Sequence, residues 1–343
     1  MKSCKIAVIG ATGAVGQVFL RIAEERNFPI SDIRLCASER SVGKKLEFNS
    51  EEIEVELCTQ KLLEEVDFTF ISASSDVSKK IAPLAAACGS IAIDDSSVFR
   101  MDDTVPLVVP EVNPTDLISH KGIVSIPNCS TTPLVMILKP LMEASKIKRV
   151  IVDTYQSVTG TGSAALQELK DQSQDILSGN QIKVQEYPHQ IAFNVLPHIE
   201  PFQGNGYTQE EMKMVYETRK ILHNDNLMVS ATCVRVPVPV SHSESIHIEF
   251  ETAVTPDEAK KILLNKPGIK IVDDPYSNLY PMPIDASGSD DVLVGRIRKD
   301  VSHPNGIAIW ISCDNLRKGA ALNAIQIAET MMKQNIVKST TWR

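Results

Sequence analysis

The sequence has no block of lysine and arginine residues: its 35 basic side chains are scattered along the chain and are outnumbered by 43 acidic ones. The net charge of -8 and the scattered basic residues argue against a protein that reads a phosphate backbone, such as a nucleic-acid-binding protein. The longest apolar stretch near a terminus, Ile6–Gly10, is too short for a signal-peptide core or a membrane span. We therefore expect no nucleic-acid partner, no membrane association and a cytoplasmic location.

The seven cysteines contain no CxxC pair and are widely separated, at positions 4, 36, 58, 88, 129, 233 and 313. An odd number at such spacing is not typical of a disulfide framework or a zinc site. We expect reduced thiols, most of them small core residues, and no bound metal. No internal repeat or low-complexity segment is present, and 343 residues of average composition predict two globular domains.

Short apolar segments alternate with helical ones in the first part of the chain. Residues 5–26, KIAVIGATGAVGQVFLRIAEER, have the pattern of a buried strand, a glycine turn and an amphipathic helix. Further buried strands are predicted at Ile33–Ala37, Phe68–Ala73, Ile91–Asp94 and Ile123–Ile126. This alternation predicts an α/β fold with a parallel, doubly wound sheet, as in a Rossmann-like domain.

After about residue 148 the strand candidates are longer, and many alternate in polarity, which indicates a sheet with one buried face. They lie within residues 149–158, 226–240, 244–252, 291–300 and 306–314. Helices are predicted at Ala164–Leu177, Gln209–Leu222 and Pro256–Leu264. The pattern predicts a second, α+β domain with a mixed sheet, and the amphipathic segment 315–334 is a helix that can return to the first domain.

The glycine turn, Gly10-Ala-Thr-Gly13-Ala-Val-Gly16, follows a strand and opens a helix. Its amides can face an anion at the helix N-terminus while the glycines let a pyrophosphate approach, so a nucleotide site is favoured over a merely tight turn. The second strand then leads into residues 38–45, SERSVGKK. Arg40, Ser41 and the lysines suit the 2'-phosphate of NADP, while Glu39 keeps NAD as the alternative.

The segment Ser125–Pro133, SIPNCSTTP, places Cys129 between a predicted strand and a predicted helix. Ser130, Thr131 and Thr132 are good capping residues, so the thiol should lie near free amides and the positive end of the helix dipole. That environment favours a thiolate nucleophile. An inert cysteine in a buried capping loop is equally consistent with these local signals.

A reactive thiolate needs an acid or base partner, and histidines occur at positions 120, 189, 198, 223, 242, 247 and 303. His242 has the best local argument, because Pro237 and Pro239 before it cannot donate to a sheet ladder and should end a strand. His247, within SIHIEF, has the pattern of an ordinary sheet residue. The sequence alone does not choose among the seven.

Five motifs now stand in order along the chain: GATGAVG, SIPNCSTTP, TYQSVTGTG, TQEEMKM and RVPVPVSHSES. Together they resemble those of the aspartate-β-semialdehyde dehydrogenases over the whole chain. The resemblance implies reduction of L-aspartyl 4-phosphate by NADPH to L-aspartate 4-semialdehyde, with release of phosphate, through a cysteine thioester. It also implies a place in lysine, diaminopimelate, methionine and threonine biosynthesis and a homodimer or homotetramer.

The resemblance implies an NADP-binding domain of residues 1–128, completed by 314–343, and a catalytic and dimerisation domain of residues 129–313. It assigns the nucleophile, the acid/base and the group that orients the thioacyl intermediate to Cys129, His242 and Gln156. It assigns the substrate carboxylate to Arg235, the substrate amino group to Glu210 and the phosphate to Arg100, Asn128 and Lys213. The implied cofactor contacts are Gly10, Thr12, Gly13, Ala14, Val15, Arg40, Ser41, Thr159, Gly160 and Asn315.

These residues form a reasonable set, because two arginines, a lysine and a glutamate complement a substrate with a carboxylate, an ammonium and a phosphate. Each has a plainer reading. Glu210 and Lys213 have the spacing of a routine helical ion pair, and Glu211 could replace Glu210. Arg100 could be a solvated loop residue, and Gln156 could be a sheet side chain.

Arg235 and His242 are seven residues apart, so on an unbroken strand they would face opposite sides of the sheet. A shared pocket therefore requires a break in the alternation within Pro237–Ser241. Two rival functions stay open. One is the related reductase of N-acetyl-glutamyl phosphate, for which Glu210 has no ammonium to bind. The other is a nucleotide-binding regulator in which Cys129 is inert.

Overall fold

The computed structural model describes residues 2–337. Two compact units make up the chain: one runs to Asn128 and resumes at Ala320, and the other is Cys129–Gly319. Residues 314–319, which we expect from the sequence in the first domain, lie in the second unit. The side chain of Asn315 explains this grouping, because its Oδ1 accepts the backbone N–H of Ser241 at 2.9 Å. Of the rest of the expected C-terminal segment, residues 320–337 lie in the first unit and residues 338–343 lie outside the described residues.

In the described part of the chain, the first unit contains a sheet of seven strands. They are β1 Cys4–Ile9, β2 Ile30–Cys36, β3 Lys45–Phe48, β4 Glu51–Glu56, β5 Phe68–Ile71, β6 Ile91–Asp94 and β7 Ile123–Ser125. Their order is β3-β4-β2-β1-β5-β6-β7, and every neighbouring pair is parallel except β3 with β4. Strands β5 and β6 are buried at every position, as a sheet covered on both faces requires. The predicted doubly wound sheet is confirmed.

Among residues 2–337, four α-helices accompany this sheet: α1 Ala14–Glu25, α2 Gln60–Glu64, α3 Ser75–Ala87 and, from the last part of the chain, α9 Leu322–Lys333. Helix α1 buries Phe19 and Ile22, and α9 buries Ile325 and Met331, in one core cluster. The predicted return of the terminal helix to this domain is therefore confirmed. Arg26, at the end of α1, forms a two-point ion pair with Glu329 of α9, at 3.0 and 2.8 Å.

The antiparallel hairpin of β3 and β4 is an element that the sequence patterns above do not predict. Its outward positions are nearly all charged, so the segment resembles a solvated loop. The inward residues Phe48 and Val55 do alternate with those charges, and both are buried. Asn49 and Ser50 join the strands with φ angles of 49° and 63°, which is the conformation of a tight hairpin turn.

The second unit contains a mixed sheet of six strands and five helices. The strands are β8 Ile147–Gln156, β9 Met228–Arg235, β10 His242–Phe250, β11 Ile269–Ile271, β12 Val292–Lys299 and β13 Gly306–Cys313, in the order β11-β12-β13-β10-β8-β9. The helices are α4 Thr131–Met142, α5 Ser163–Leu177, α6 Gln209–Ile221, α7 Pro256–Leu264 and α8 Pro283–Ala286. Within residues 2–337 no helix combines the length and apolarity needed to cross a bilayer.

Strand alternation decides which side chains enter the core of this unit. On β10 the even-numbered positions from His242 to Phe250 are all buried, whereas Ser245, His247 and Glu249 are half-buried. Strand β10 pairs with β8 on one side and β13 on the other, and Gln156 at the end of β8 pairs with Arg235 on β9. The register therefore brings the end of β8, the end of β9 and the start of β10 together on one buried face.

Candidate active site

His242 is the first residue of β10, and its imidazole is only 1% exposed. Its Nδ1 accepts the backbone N–H of Ser157 at 3.0 Å and lies 3.1 Å from the Ser157 hydroxyl. Because Nδ1 accepts a hydrogen bond, the neutral ring carries its proton on Nε2. Burial lowers the pKa of His242 to about 3; the Arg235 charge adds to this effect and Glu210 opposes it. The ring is therefore neutral in the ligand-free protein.

Arg235, at the end of β9, is a buried cation beside this histidine. Its Nη1 donates to the carbonyl oxygen of Ser157 at 2.7 Å, and the guanidinium carbon lies 5.9 Å from the ring centre of Tyr187. Within residues 2–337 no carboxylate forms an ion pair with Arg235, and its Nε has no acceptor. A buried cation without a counter-ion is costly to the folded protein, so this guanidinium is prepared for an anion.

Gln156, the last residue of β8, connects the sheet to α6. Its Oε1 accepts the hydroxyl proton of Thr154 and its Nε2 donates to Oε1 of Glu210, both at 3.0 Å. The other oxygen of Glu210 accepts from Nζ of Lys213 at 3.2 Å. Lys213 also forms an ion pair with Glu200. Three residues that the resemblance assigns to the site thus form one continuous chain of hydrogen bonds.

Glu211, the alternative to Glu210, has a different environment. Its Oε2 accepts the backbone N–H of Thr208 at 2.7 Å in a capping box at the start of α6. Its Oε1 accepts the backbone N–H of Cys233 at 3.0 Å. Both oxygens are therefore occupied by the fold, which leaves Glu210 as the carboxylate that faces Gln156.

The loop between β9 and β10 provides the predicted break in alternation. Strand β9 ends at Arg235 and β10 begins at His242, and Ser241 between them has a φ of 76°. Asn315 fixes this loop: its Oδ1 accepts from Ser241 N–H at 2.9 Å and from the Ser157 hydroxyl at 3.1 Å. Arg235 and His242 consequently reach the same pocket, as the prolines in the sequence led us to expect.

Thr159 and Gly160 lie in the turn after β8 and line the same pocket. The Thr159 hydroxyl is within hydrogen-bonding distance of the Asn315 side chain, at 3.3 and 3.4 Å. A Cβ on Gly160 would lie 2.8 Å from Nη1 of Arg235 and 3.3 Å from Nε2 of His242. Glycine is therefore the residue that lets this turn lie directly against the side chains of Arg235 and His242.

Cys129 lies two residues before α4 and is half-buried. A Cβ on Gly319 would lie 2.9 Å from the Cys129 Cβ, so Gly319 packs against it. The Cys129 thiol also contributes to the raised pKa of Cys313. Burial is the main cause of that rise, and the charges of Asp314 and Glu244 come next. Since Cys313 is the register partner of His242, Cys129 and His242 belong to one neighbourhood of the second unit.

The capping of α4 differs from the prediction. Ser130 is the N-cap residue, but its side chain makes no capping hydrogen bond. Its φ and ψ of -89° and -31° are helical rather than extended, so its hydroxyl does not point at the first-turn amides. The expected hydroxyl cap was wrong in this respect. The position of Cys129 at the positive end of the α4 dipole is as expected.

In the first unit the glycine turn is built for close approach. Gly10 has a φ of 85°, and its N–H donates to the carbonyl of Cys36 at 2.8 Å. A Cβ on Gly16 would lie 2.4 Å from the Gly10 carbonyl oxygen. Gly13 is the N-cap of α1 and supplies no side-chain cap, so amides of Ala14 and Val15 at the helix start suit a phosphate. A dinucleotide fits this turn.

Arg40 and Ser41 form a short helical turn just after β2. Arg40 is exposed, and within residues 2–337 it makes no ion pair. Ser41 is buried, with its Oγ 3.5 Å from the Thr12 hydroxyl on the glycine turn.

The first unit also contains two of the residues that the resemblance assigns to the phosphate. Arg100 is buried and donates to the carbonyl of Asp95 at 2.8 Å, and Asn128 is buried after β7. Arg100 is thus not a solvated loop residue.

Comparison with known proteins places this arrangement in a family. Residues 5–120 match the family model described as "Semialdehyde dehydrogenase, NAD binding domain", and residues 138–318 match "Semialdehyde dehydrogenase, dimerisation domain". The "Aspartate-semialdehyde dehydrogenase" of Aquifex aeolicus is 50% identical over 337 residues, covering 97% of this chain and 99% of the relative. The chain belongs to the aspartate-semialdehyde dehydrogenase family. The family resemblance of the five motifs is therefore confirmed.

Solved structures of aspartate-semialdehyde dehydrogenases support the same fold. That of aspartate semialdehyde dehydrogenase II from Vibrio cholerae has a TM-score of 0.94 at 43% identity and covers 97% of this chain and 99% of its own. The same enzyme "complexed with ASA" superimposes equally well. An aspartate semialdehyde dehydrogenase "with NADP" from Candida albicans has a TM-score of 0.78 at 28% identity, covering 98% of this chain and 100% of its own.

Ser157 is a residue of this site that is absent from the sequence predictions, and Glu244 is an unpredicted buried polar residue on the same face of β10 as His242. Ser157 contacts His242 and Arg235, but its only sequence signal is its place beside Gln156. Glu244 lies at a buried position of β10, and the sequence did contain a signal for it. In SHSESIHIEF it shares the inward face with Ile246 and Ile248, where a glutamate is unexpected. Within the described chain, no group of three or more His, Cys, Asp and Glu is placed to hold a metal ion.

Proposed function

We propose that this protein catalyses the NADPH-dependent reduction of L-aspartyl 4-phosphate to L-aspartate 4-semialdehyde, with release of phosphate. The observation that carries the proposal is that a buried cation, Arg235, and a buried carboxylate, Glu210, both lie near His242. The two groups do not form an ion pair with each other. A buried guanidinium without a carboxylate partner can bind the α-carboxylate of the substrate, and the nearby carboxylate can bind its ammonium group. The charges match an amino acid that keeps both groups free.

Lys213 extends this complementarity, because it is joined to Glu210 at 3.2 Å. Its ammonium group can meet the phosphate of the substrate. We propose the same role for Arg100 and Asn128, following the family motifs. An N-acetylated substrate has no ammonium for Glu210 to bind, so this glutamate favours aspartyl over N-acetyl-glutamyl phosphate.

In the proposed chemistry the Cys129 thiolate attacks the acyl carbon of the substrate. The carbon–oxygen bond to phosphate breaks, phosphate leaves, and a thioester forms on Cys129. Gln156 orients the thioester carbonyl, because Thr154 and Glu210 fix its amide. His242 then protonates the oxygen of the thiohemiacetal and takes that proton back as the carbon–sulfur bond breaks, so that the aldehyde leaves and the Cys129 thiolate is regenerated. In the oxidative direction His242 is the base that removes the proton from the thiohemiacetal oxygen.

NADPH, when bound, would supply the hydride that reduces the thioester. We propose that Gly10, Thr12, Gly13, Ala14 and Val15 bind its phosphates. The exposed guanidinium of Arg40 and the hydroxyl of Ser41 suit the 2'-phosphate, which favours NADP over NAD. We assign Thr159, Gly160 and Asn315 to the nicotinamide end. The family member from Candida albicans, solved with NADP, supports this choice.

We also propose that residues 129–313 form the catalytic and dimerisation domain and that the enzyme is a homodimer or homotetramer. The match of residues 138–318 to a dimerisation domain supports self-association. We propose that the enzyme acts in the branch of amino-acid biosynthesis that leads to lysine, through diaminopimelate, and to methionine and threonine. A cytoplasmic location stays a prediction from the sequence.

The test is a phosphate-dependent oxidation of L-aspartate semialdehyde, with NADP and NAD in parallel. We expect continuous formation of reduced nucleotide only when phosphate is present, faster with NADP, and at most one turnover per site without phosphate. N-acetyl-L-glutamate semialdehyde serves as the matched substrate and should be inert. No turnover of L-aspartate semialdehyde with either nucleotide would refute the proposed function, and turnover of the acetylated compound alone would replace it with the rival reductase.

A further inference from the structure

Residues 183–196 of the second unit form an irregular segment, which we call the strap, between helices α5 and α6. Leu196, at its end, exchanges two backbone hydrogen bonds with Arg235, at 2.9 and 2.8 Å. Tyr187, near its start, has its ring centre 5.9 Å from the guanidinium carbon of the same arginine. The strap therefore contacts both the backbone and the charged end of the residue to which we assign the substrate carboxylate.

Helix α5 holds the strap in place with two buried polar side chains, Glu168 and Gln172, which lie one turn apart. Oε2 of Glu168 accepts the backbone N–H groups of residues 185 and 186, at 3.1 and 2.6 Å. Oε1 of Gln172 accepts those of residues 191 and 192, at 3.0 and 3.1 Å. These four hydrogen bonds lie on both sides of Tyr187, so the backbone that carries its ring is fixed independently of its hydroxyl group.

The Tyr187 side chain joins the strap to the turn after β8. Its hydroxyl lies 3.0 Å from the Thr161 hydroxyl and can donate to the carbonyl oxygen of Val158 at 3.3 Å. Its ring packs against an apolar cluster that includes Val158 and Leu169. Burial raises the pKa of Tyr187, and the nearby Arg235 charge opposes this rise, so the hydroxyl is neutral at physiological pH. Tyr187 is thus a fixed, uncharged wall beside the guanidinium.

The Arg235 guanidinium needs such a wall, because its other contact leaves it freedom to turn. Within residues 2–337 one side-chain hydrogen bond, from Nη1 to the carbonyl oxygen of Ser157, holds it. A planar fork can rotate about a single hydrogen bond, whereas binding a carboxylate at two points requires one orientation of the fork. An aromatic face within about 6 Å of a cation attracts it. The Tyr187 ring therefore limits the rotation.

We propose that Tyr187 is a positioning residue for substrate recognition: its ring face holds the Arg235 guanidinium in the orientation that meets the α-carboxylate of the substrate. Tyr187 acts through Arg235 and takes no part in bond making or breaking. The strap and helix α5 serve this function by keeping the ring in place. The inference rests on the carboxylate role proposed above for Arg235.

The first test is kinetic and uses Tyr187→Leu, which keeps an apolar side chain but removes the ring. In the phosphate-dependent assay we expect KM for L-aspartate semialdehyde to rise about 10-fold, the effect of a lost, partly desolvated cation–π contact, while kcat and KM for NADP change less than about 3-fold. Tyr187→Phe keeps the ring and should restore KM to within about 3-fold of wild type. His189→Leu is the matched control, since it makes the same replacement at an exposed position of the strap.

Melting curves establish that the variants are folded. A folded Tyr187→Leu with wild-type KM, a loss confined to kcat, or an equal rise of KM in Tyr187→Phe would each overturn the proposal. An inactive wild type would instead refute the proposed function. The two failures are distinguished because the kinetic comparison requires an active wild-type enzyme.

The second test asks whether Tyr187 acts through Arg235, and it uses kcat/KM because this ratio can be measured without saturating substrate. Arg235→Gln removes the cation. In that background Tyr187→Leu should change kcat/KM less than about 2-fold, because the contact that it removes no longer exists. A further loss of about 10-fold would show that the ring supports the protein independently of the arginine, and the proposal would be wrong.

The third test changes the electrostatics of the ring and not its shape, so it decides the proposal even if Tyr187→Leu does not fold. Pentafluorophenylalanine in place of Tyr187 keeps an aromatic ring but makes its face electron-poor, which reverses its attraction for a cation. We expect kcat/KM for L-aspartate semialdehyde to fall at least about 5-fold below that of Tyr187→Phe. Equal values in the two proteins would show that the ring acts by shape alone and would overturn the proposal.

Discussion

Ser157 donates its backbone N–H to Nδ1 of His242 at 3.0 Å, and its carbonyl oxygen accepts from Nη1 of Arg235 at 2.7 Å. One peptide segment therefore orients both the residue to which we assign the acid/base role and the cation that we assign to the substrate carboxylate. The arrangement fixes the neutral tautomer of the imidazole and keeps Nε2 pointing into the pocket beside Gly160. Substitutions at this serine should separate orientation from binding.

Ser157→Ala should lower kcat about 10-fold with little change in KM. The hydroxyl, 3.1 Å from Nδ1, can accept a hydrogen bond only when the imidazole is doubly protonated, and such charged hydrogen bonds contribute about 1.5–3 kcal/mol. Steady-state kinetics with L-aspartate semialdehyde, NADP and phosphate measure the effect. Ser243→Ala is the control, because Ser243 bonds Ser312 on the opposite face of the sheet. Equal losses in both variants would contradict the role.

Cys129→Ser should lose at least about 1,000-fold in kcat and form no acyl adduct, because a serine hydroxyl is far harder to ionise than a thiol and is a much weaker nucleophile. Mass spectrometry of the enzyme with L-aspartate semialdehyde and NADP in the absence of phosphate should show the adduct on wild type. Cys88→Ser is the control, since Cys88 is half-buried at the end of α3 in the other unit. An adduct on the serine variant would identify a different nucleophile.

The predictable part of the fold is the part that local patterns encode. The buried strands β5 and β6 and the alternating strand β10 follow directly from apolar runs and alternation. The hairpin of β3 and β4 does not, because charged outward positions conceal the few residues that pack. Helix boundaries are also predictable from the sequence. Helix α7 has the predicted range, Pro256–Leu264, and begins directly after a capping box at Thr255.

The residues of the candidate site likewise include some that local sequence patterns predict and some that only the structure reveals. The break before His242 was predictable, because prolines cannot continue a sheet ladder. Only the structure distinguishes the role of Glu211 from that of Glu210, because it shows that Glu211 accepts a hydrogen bond from the backbone N–H of Cys233. Ser157 acts through its backbone, and the sequence does not reveal which backbone groups face a side chain.

Arg235→Lys should raise KM for L-aspartate semialdehyde about 30- to 100-fold while kcat falls much less. A lysine keeps the charge but lacks the planar fork that binds a carboxylate at two points. Arg219→Lys is a closely matched control: Arg219 also donates to a backbone carbonyl, that of Leu227 at 2.8 Å, but in α6 away from the pocket. If the Arg235 variant loses kcat alone, its guanidinium does not bind the ground-state substrate.

His242→Asn should make the protein less sensitive to acid. The folded pKa of His242 is lowered to about 3 from 6.5, so between these values the unfolded chain binds a proton that the folded protein does not. Stability from this group is complete above pH 6.5 and is lost as the pH falls, by about 2 kcal/mol at pH 5.

The measurement is urea unfolding of wild type and His242→Asn at pH 7 and pH 5. Glu244 has the opposite dependence, because its raised pKa favours the folded state as the pH falls. The difference between the two proteins therefore isolates the histidine. His189→Asn, at an exposed position, should behave as wild type. If His242→Asn and wild type lose equal free energy of unfolding, His242 is not neutral when folded.

Arg40→Ala should raise KM for NADP about 10- to 100-fold and leave KM for NAD unchanged, because NAD has no 2'-phosphate for the guanidinium to meet. Arg40 is exposed beside the buried Ser41 and makes no ion pair within residues 2–337, so its removal should not disturb the turn. Lys121→Ala is the control: Lys121 is an exposed cation just before β7, at the amino ends of the parallel strands, whereas Arg40 follows the carboxyl end of β2. Parallel assays with the two nucleotides give the result. An equal rise for NADP and NAD would show that Arg40 binds a part common to both, and the preference for NADP would then need another origin.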